Sequence, residues 1–395
     1  MAGDKISEIL TRGVDEVIDR DHLESQLRSQ KKLRIKLGID PTSNSIHIGR
    51  AITLWKLRDL QDLGHKIIFI VGDFTGLIGD TSDKESERPM LTKKQVAENM
   101  KTYVAQIGKI LNLKKTEVHY NSEWLAKLKF LEIAEQAEQF SLHEFAAREN
   151  IARRLEAQKR VSLRELLYPL MQGYDSVAIN ANLEVGGTDQ RFNLLAGRTL
   201  QKFYGQEPQD IMTFILLEGT DGRKMSSSWG NVINVNDAPN DIYGKTMTVL
   251  DNLIVKYFMS CTRLPVTEVS EIERKIKTGK LSMRDAKAML AKELVKMYHG
   301  EKAANSAEQY FDRVHRSKEI PEDILVLPLS KLQPGANRVL QIIVAINAAK
   351  SMSEARRKVD QGGVKINGQP HKNYDYEFKS GDVIQVGPLK WAKIN

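Results

Sequence analysis

Thr42, His47 and Gly49 are the residues whose types and spacing first point to chemistry: a hydroxyl and an imidazole beside the start of a helix can donate hydrogen bonds to phosphate oxygens. Gly49 would let a flat base lie against the backbone there. Far downstream, Lys224-Met225-Ser226-Ser227-Ser228 places a cation and hydroxyls in a loop bounded by Gly219, Gly222 and Gly230, suited to clamping a leaving pyrophosphate. Taken singly each is weak, since an isolated histidine is more often a cap and an isolated Ser-rich loop a solvated turn. Taken together they describe adenylyl transfer, in which the α-phosphate gains negative charge while pyrophosphate leaves, and positioning and electrostatics do most of the work.

The elements that must hold these groups are legible around them. Leu33, Ile35, Leu37 and Ile39 alternate with polar residues as a strand does, and from Ile48 the pattern becomes a helix closed by Gly64. A second strand follows from Ile67 to Val71. Strand, helix and strand in this order predict a parallel sheet covered by helices, with ligands beyond the carboxyl ends of the strands. The segments 40–49 and 72–80 both fall there. Between 91 and about 164 the sequence reads as a helical insertion, strand-like pieces return near Val177 and Leu183, and 212–217 reads as another buried strand. Ala286, Leu290, Leu294 and Met297 form one apolar helix face. Pro321, Pro328 and Pro334-Gly335 then mark a linker. The expected organisation is a sheet domain at 1–235, a helical domain at 236–316, a linker at 317–336 and a small α+β module at 337–395.

Bulk properties agree with a folded protein of two or three domains: 395 residues, 41% hydrophobic and 28% charged. No apolar run reaches membrane-spanning length and the N-terminus lacks a signal-peptide core, so a cytoplasmic protein is expected. A single cysteine, Cys261, excludes an intramolecular disulfide and a cysteine-based zinc site; it reads as a small buried hydrophobe. The net charge is +8, and the last module holds ten Lys or Arg against five Asp or Glu. A basic terminal module is a nucleic-acid signal. Arg356, Arg357, Lys358 and Lys365 are its candidate RNA-phosphate contacts, and Arg153 and Arg154 in the insertion are further candidates.

The two distant motifs resemble the HIGH and KMSKS signatures of class I aminoacyl-tRNA synthetases. Three further segments, 76–80 (Gly-Leu-Ile-Gly-Asp), 168–175 (Tyr-Pro-Leu-Met-Gln-Gly-Tyr-Asp) and 186–190 (Gly-Gly-Thr-Asp-Gln), are similar to bacterial tyrosyl-tRNA synthetases. The resemblance runs over nearly the whole chain. It implies a Rossmann-like catalytic domain with a helical insertion, an anticodon-binding-type helical domain, and a C-terminal RNA-binding domain shared with a ribosomal small-subunit protein. It implies ATP as substrate with Mg2+, tyrosine and tRNA(Tyr) as partners, a homodimer formed through the insertion, and no resident metal or tightly bound cofactor.

Carried over by position, the resemblance gives catalytic roles to Thr42, His47, Lys84, Arg88 and Lys224. It assigns ATP to Asp40, Thr42, His47, Gly49 and Arg50, to Gly187 and Asp189, and to Lys224, Met225, Ser226, Ser227 and Ser228. Asp189 would hold the ribose. Tyrosine falls to Lys36, Gly38, Asp40 and Thr75, with Asp80, Tyr168 and Gln172 at its ammonium, Gln190 at its carboxylate and Asp175 at the phenol hydroxyl. Three positions depart from the family pattern: Arg50 stands for the last histidine of the first motif, Ser227 for the second lysine of the other, and Lys36 for a tyrosine found in many relatives. The alternatives are a small-molecule nucleotidylyltransferase, a non-catalytic RNA-binding paralogue and a tryptophan-specific synthetase. The helical region and basic module argue against the first, an intact set of site residues against the second, and the Gly-Thr-Asp-Gln segment against the third.

Overall fold

The computed structural model describes residues 2–41, 45–80, 92–226, 229–316, 324–328, 338–387 and 390–395. Among them, β1 (Val14–Ile18), β2 (Arg34–Ile39), β3 (Lys66–Val71), β4 (Thr116–Tyr120), β5 (Leu183–Gly187) and β6 (Asp210–Phe214) form one sheet in the order β1-β6-β5-β2-β3-β4. All neighbours are parallel except β1, which runs antiparallel to β6. Parallel strands covered on both faces read as continuous apolar runs. β3 does so, with Ile67 to Val71 buried, and it pairs with β2 from Arg34 opposite Lys66 to Ile39 opposite Val71. The crossover between them is the helix Ile48–Asp62, which buries Ile48, Ala51, Ile52, Leu54, Leu57 and Leu60. That spacing is one helical face.

The chain leaves β2 towards β3 and β4 on one side, while β5 and β6 lie on the other. The carboxyl ends of β2 and β5 therefore flank a point where the winding direction reverses, the place where sheets of this kind bind ligands. The segment 91–164, read as mainly helical, also contains a strand. After the helix Lys93–Ile107 the chain enters β4, which pairs parallel with β3, and only then do the helices Ser122–Leu125, Phe130–Glu138, Leu142–Ala146 and Glu149–Glu156 follow. Val177 belongs to the helix Leu163–Ile179, not to a strand.

Two compact units divide the chain, Met1–Asp237 with Val249–Ala286, and Ala238–Thr248 with Lys287–Asn395. This division differs from the sequence segments because Arg12 ties the helix Ile254–Cys261 to the sheet unit. Its guanidinium donates to the carbonyls of Met259, Thr262 and Leu264 at 2.8, 2.9 and 2.6 Å, satisfying groups a helix end leaves open. Cys261 is buried there, and burial pushes its thiol well above the ordinary range.

The second unit includes the helix Glu301–Arg316 and a five-stranded sheet of β7 (Leu325–Leu327), β8 (Val364–Ile366), β9 (Gln369–Pro370), β10 (Val383–Val386) and β11 (Lys390–Ile394), in the order β7-β11-β10-β8-β9. Val339, Leu340, Ile342 and Ile343 of one helix and Ala355 and Val359 of another pack with Val364, Ile366 and Ile384 in its core. The expected linker thus contains a strand: Leu325-Val326-Leu327 pairs parallel with β11, an apolar triplet finding a sheet edge. Among the described residues no helix is long and apolar enough to cross a membrane.

Candidate active site

Asp40 directly follows β2, and its carboxylate accepts from Thr75 Oγ1 at 2.7 Å and Tyr168 OH at 2.9 Å. The close approach depends on Gly72 at the end of β3, where a side-chain carbon would overlap both the Asp40 carboxylate and the Thr75 hydroxyl. Asn121, the first residue after β4, donates through Nδ2 to Thr75 Oγ1 at 2.9 Å and to Asp175 Oδ2 at 3.3 Å. Trp124 Nε1 donates to Asp175 Oδ1 at 2.7 Å. One hydrogen-bonded chain therefore links the ends of β2, β3 and β4 with the helix Leu163–Ile179.

Burial dominates the electrostatics of this chain. Asp175 is 3% exposed, and desolvation raises its carboxyl to about 7 against the opposing pull of Lys36, Trp124 and Asn121. Tyr168 is pushed well above its ordinary value by burial and by the charges of Asp40, Asp80 and Asp175. Three carboxylates near one phenol make a negative field that favours an ammonium group. Gln190 Nε2 donates to Asp80 Oδ2 at 2.7 Å and its Oε1 accepts from Asn193 Nδ2 at 3.0 Å, so the segment after β5 closes this side. At Gly38, within β2, an added side chain would meet nothing within 4 Å, leaving the strand surface open.

Lys36 does not fit the expected contact with a phenol. Its ammonium is fully buried and bonded to Gln172 O at 2.7 Å, Ser176 Oγ at 2.8 Å and Glu184 Oε1 at 2.9 Å. Three partners use all three donors of a lysine. Gln172 is likewise turned inward, its Nε2 donating to Glu184 Oε1 at 3.1 Å.

His47 caps the helix Ile48–Asp62, its Nδ1 accepting from Arg50 N at 3.3 Å. Burial, with the Arg50 charge, lowers the imidazole to about 3, so the ring is neutral at physiological pH. With Nδ1 accepting, the proton sits on Nε2, which is a donor. The Arg50 guanidinium donates to Tyr103 OH at 2.8 Å. The two distant motifs meet at Gly49, where an added carbon would lie 3.1 Å from both His47 Nδ1 and Met225 Sδ. Backbone bonds tie the first motif to the segment that follows the second, Ile48 N to Ile233 O and Val235 N to Ile46 O, each at 2.9 Å. Asn231 braces the second motif, donating to Lys224 O at 3.1 Å and accepting from Ser226 N at 2.9 Å, and Lys224 projects at the surface. Gly187 ends β5 and abuts Asp189, which is half-buried. Thr42, Lys84, Arg88, Ser227 and Ser228 lie outside the described residues.

Sequence reasoning missed Gly72, Asn121, Trp124 and Glu184. The signal for Glu184 was present, an acid inside an apolar strand matching the lysine inside β2; for Asn121 and Trp124 it required recognising β4. Arg154 is a correction, since it is buried and paired with Glu165 at 2.5 and 3.0 Å, and so faces no RNA. In the terminal module Arg356 and Arg357 are exposed on the helix Met352–Asp360, Lys358 is half-buried and Lys365 points outward from β8. Arg356 stacks on Tyr374 at 5.1 Å.

Residues 28–316 match the family of tRNA synthetases class I (W and Y), and 338–384 match the S4 domain. The chain is 45% identical to tyrosine–tRNA ligase 2 of Clostridium acetobutylicum, over 99% of this chain and 98% of that one. It is 43% identical to the tyrosine–tRNA ligase of Thermotoga maritima, over 98% and 96%. The fold is similar to that of the tyrosyl-tRNA synthetase of Archaeoglobus fulgidus, solved with L-tyrosine, with a TM-score of 0.62 at 24% identity over 77% of this chain and 99% of that one. With a wound parallel sheet, the paired motifs in contact and this likeness over nearly its whole length, the chain belongs to the class I tRNA synthetases, in the family of the tyrosine–tRNA ligases.

Proposed function

We propose that this enzyme activates L-tyrosine in the crevice between the ends of β2 and β5 and then transfers it to the terminal adenosine of tRNA(Tyr). The observation that carries the assignment of roles is the bonded chain from Asp40 through Thr75 and Asn121 to Asp175, which lines one continuous polar wall. Tyrosine lies along that wall, its ammonium among Asp40, Asp80 and Tyr168 and its phenol hydroxyl donating to Asp175. Gln190 meets the carboxylate end. A carboxylate oxygen attacks the α-phosphorus of ATP, the new P–O bond forms, and the bond to pyrophosphate breaks. ATP enters with Mg2+ on its phosphates.

His47 donates from Nε2 to a phosphate oxygen as charge builds on it, and its neutrality lets it do so without a change of protonation. Thr42 donates beside it, while Lys84, Arg88 and Lys224 offset the charge of the leaving pyrophosphate. Asp189 holds the ribose near Gly187, and the base lies beside the backbone of Gly49, where His47 and Met225 also pack. In the second step the terminal adenosine hydroxyl attacks the tyrosyl carbonyl and AMP leaves. Arg356, Arg357 and Lys365 contact tRNA phosphates, as their exposure supports. The use of tRNA supports a cytoplasmic enzyme.

The active form is a homodimer built on the helices after β4. Phe130 and Leu163 are 88% and 79% exposed there, with Leu131, Leu142, Leu155 and Leu167 also outside the core. Such a concentration of apolar surface supports a protein interface. Exchange of labelled pyrophosphate into ATP, run with each of the twenty amino acids, tests the assignment. Exchange dependent on tyrosine is expected; dependence on tryptophan instead, or no exchange, would overturn it.

A further inference from the structure

Behind the proposed tyrosine pocket lies a second set of buried charges bonded to protein groups. Lys36 and Glu184 face each other across the paired strands β2 and β5, and both are 0% exposed. Glu184 accepts from four donors: Lys36 Nζ at 2.9 Å, Gln172 Nε2 at 3.1 Å, Ser176 Oγ at 2.9 Å and Gln209 Nε2 at 2.5 Å. A carboxylate has about four lone-pair positions, so the group is saturated. Lys36 is saturated as well, and two of its three bonds go to Gln172 and Ser176. The pair thus grips one turn of the helix Leu163–Ile179 by the backbone of Gln172, the amide of Gln172 and the hydroxyl of Ser176. Asp175 lies between those two positions on the same turn.

We propose that Lys36 and Glu184 are positioning residues for tyrosine recognition, fixing the Gln172–Ser176 turn from behind so that the Asp175 carboxylate meets the phenol hydroxyl. This rests on the reading that Asp175 receives that hydroxyl. A simpler apolar pair would hold strands together equally well, since a buried ion pair is often no more stabilising than hydrophobic residues of similar volume. What apolar side chains cannot do is direct hydrogen bonds to three points on one helical turn. The lysine also sets a positive charge behind Asp175, and among the charged groups near it Lys36 is the main one favouring its ionised form.

Removing one charge alone would strand the other, so the test is the joint variant Lys36→Met/Glu184→Gln, which keeps side-chain shape and leaves no buried charge unpaired. In tyrosine-dependent pyrophosphate exchange the expected result is a KM for tyrosine about tenfold higher, with kcat at saturating tyrosine changed less than about threefold, and tyrosine preference over phenylalanine reduced about tenfold. Ser176→Ala, a substitution a helix interior tolerates, is a second variant and should raise the tyrosine KM about threefold at unchanged kcat. A folded joint variant with the parent KM and the parent preference overturns the proposal, as does a fall in kcat without a change in KM. Should the joint variant not fold, an unchanged KM in Ser176→Ala overturns it. Asp175→Asn separates the two levels: if it leaves the preference intact, the pocket reading fails; if it abolishes the preference while the other variants do not, only the positioning role fails.

Discussion

Tyrosine affinity should depend on pH through Asp175, with the sign given by the burial of its carboxyl and the size an order-of-magnitude consequence of it. Burial lifts this carboxyl from about 3.8 to about 7, so in the unliganded enzyme it is mostly protonated below neutrality. Each pH unit of displacement is about 1.4 kcal/mol, which makes ionising the empty site about 4 kcal/mol harder than in water. A phenol O–H donated to the ionised form returns about 1.5–3 kcal/mol, as hydrogen bonds to charged groups do, and lowers the carboxyl by about one to two units when tyrosine is bound. Binding therefore releases a proton. By linkage, tyrosine should bind about five- to twentyfold more tightly at pH 7.5 than at pH 5.5, levelling off above. His47, lowered to about 3, does not titrate in this window, and the phenol of free tyrosine ionises only near pH 10. For the unliganded fold the sign is the opposite: the native state holds this proton more firmly than the unfolded chain does, so the contribution to stability declines as pH rises from about 4 to 7. Calorimetric titration in two buffers of different ionisation enthalpy measures affinity and proton release together. An affinity flat between pH 5.5 and 7.5, or one that weakens as pH rises, would refute the reasoning, and Asp175→Asn should remove the pH dependence.

Three further outcomes follow from the same geometry. Gly72→Ala should force apart the Asp40–Thr75 hydrogen bond, destabilising the fold by about 1.5–3 kcal/mol and raising the tyrosine KM; a urea midpoint and KM both unchanged would contradict the packing at that glycine. His47→Ala should slow single-turnover adenylate formation about a hundredfold while the tyrosine dissociation constant stays within about twofold, whereas equal losses would place the ring at the amino acid instead. Phe130→Asp, at an 88% exposed position, should shift sedimentation equilibrium towards monomer without lowering the unfolding temperature of the isolated chain.

What could be read from the sequence follows the depth of each element. β2 and β3 were legible because both lie inside the sheet: β3 is a continuous apolar run buried on both faces, and β2 alternates Ile35, Leu37 and Ile39 with Arg34, Lys36 and Gly38. β1 and β4 sit at the edges, and their sequences, Val-Asp-Glu-Val-Ile and Thr-Glu-Val-His-Tyr, carry the charged and polar residues that edge strands use against unwanted pairing. Missing β4 hid Asn121 and Trp124, whose only sequence mark is that they follow a strand. Asp40, Asp80, Tyr168 and Asp175 were named from resemblance, and no local pattern predicts that they converge. The inward turn of Lys36 left only a partial sequence signal, an acid in a second apolar strand, because the match of Lys36 with Glu184 is set by the β2–β5 register, a non-local quantity. Arg154 shows the reverse error, a basic side chain read as a candidate RNA contact that in fact lies buried against Glu165.

The solitary, buried Cys261 has a practical side. A thiol held protonated inside the fold reacts slowly with alkylating dyes at neutral pH, and there is no second cysteine in the chain to compete. The natural sequence therefore already serves as a near-silent background for single-site labelling. A cysteine introduced at exposed Trp229, beside the braced Lys224 segment, would carry one fluorophore per chain and report in real time on how that loop responds to ATP.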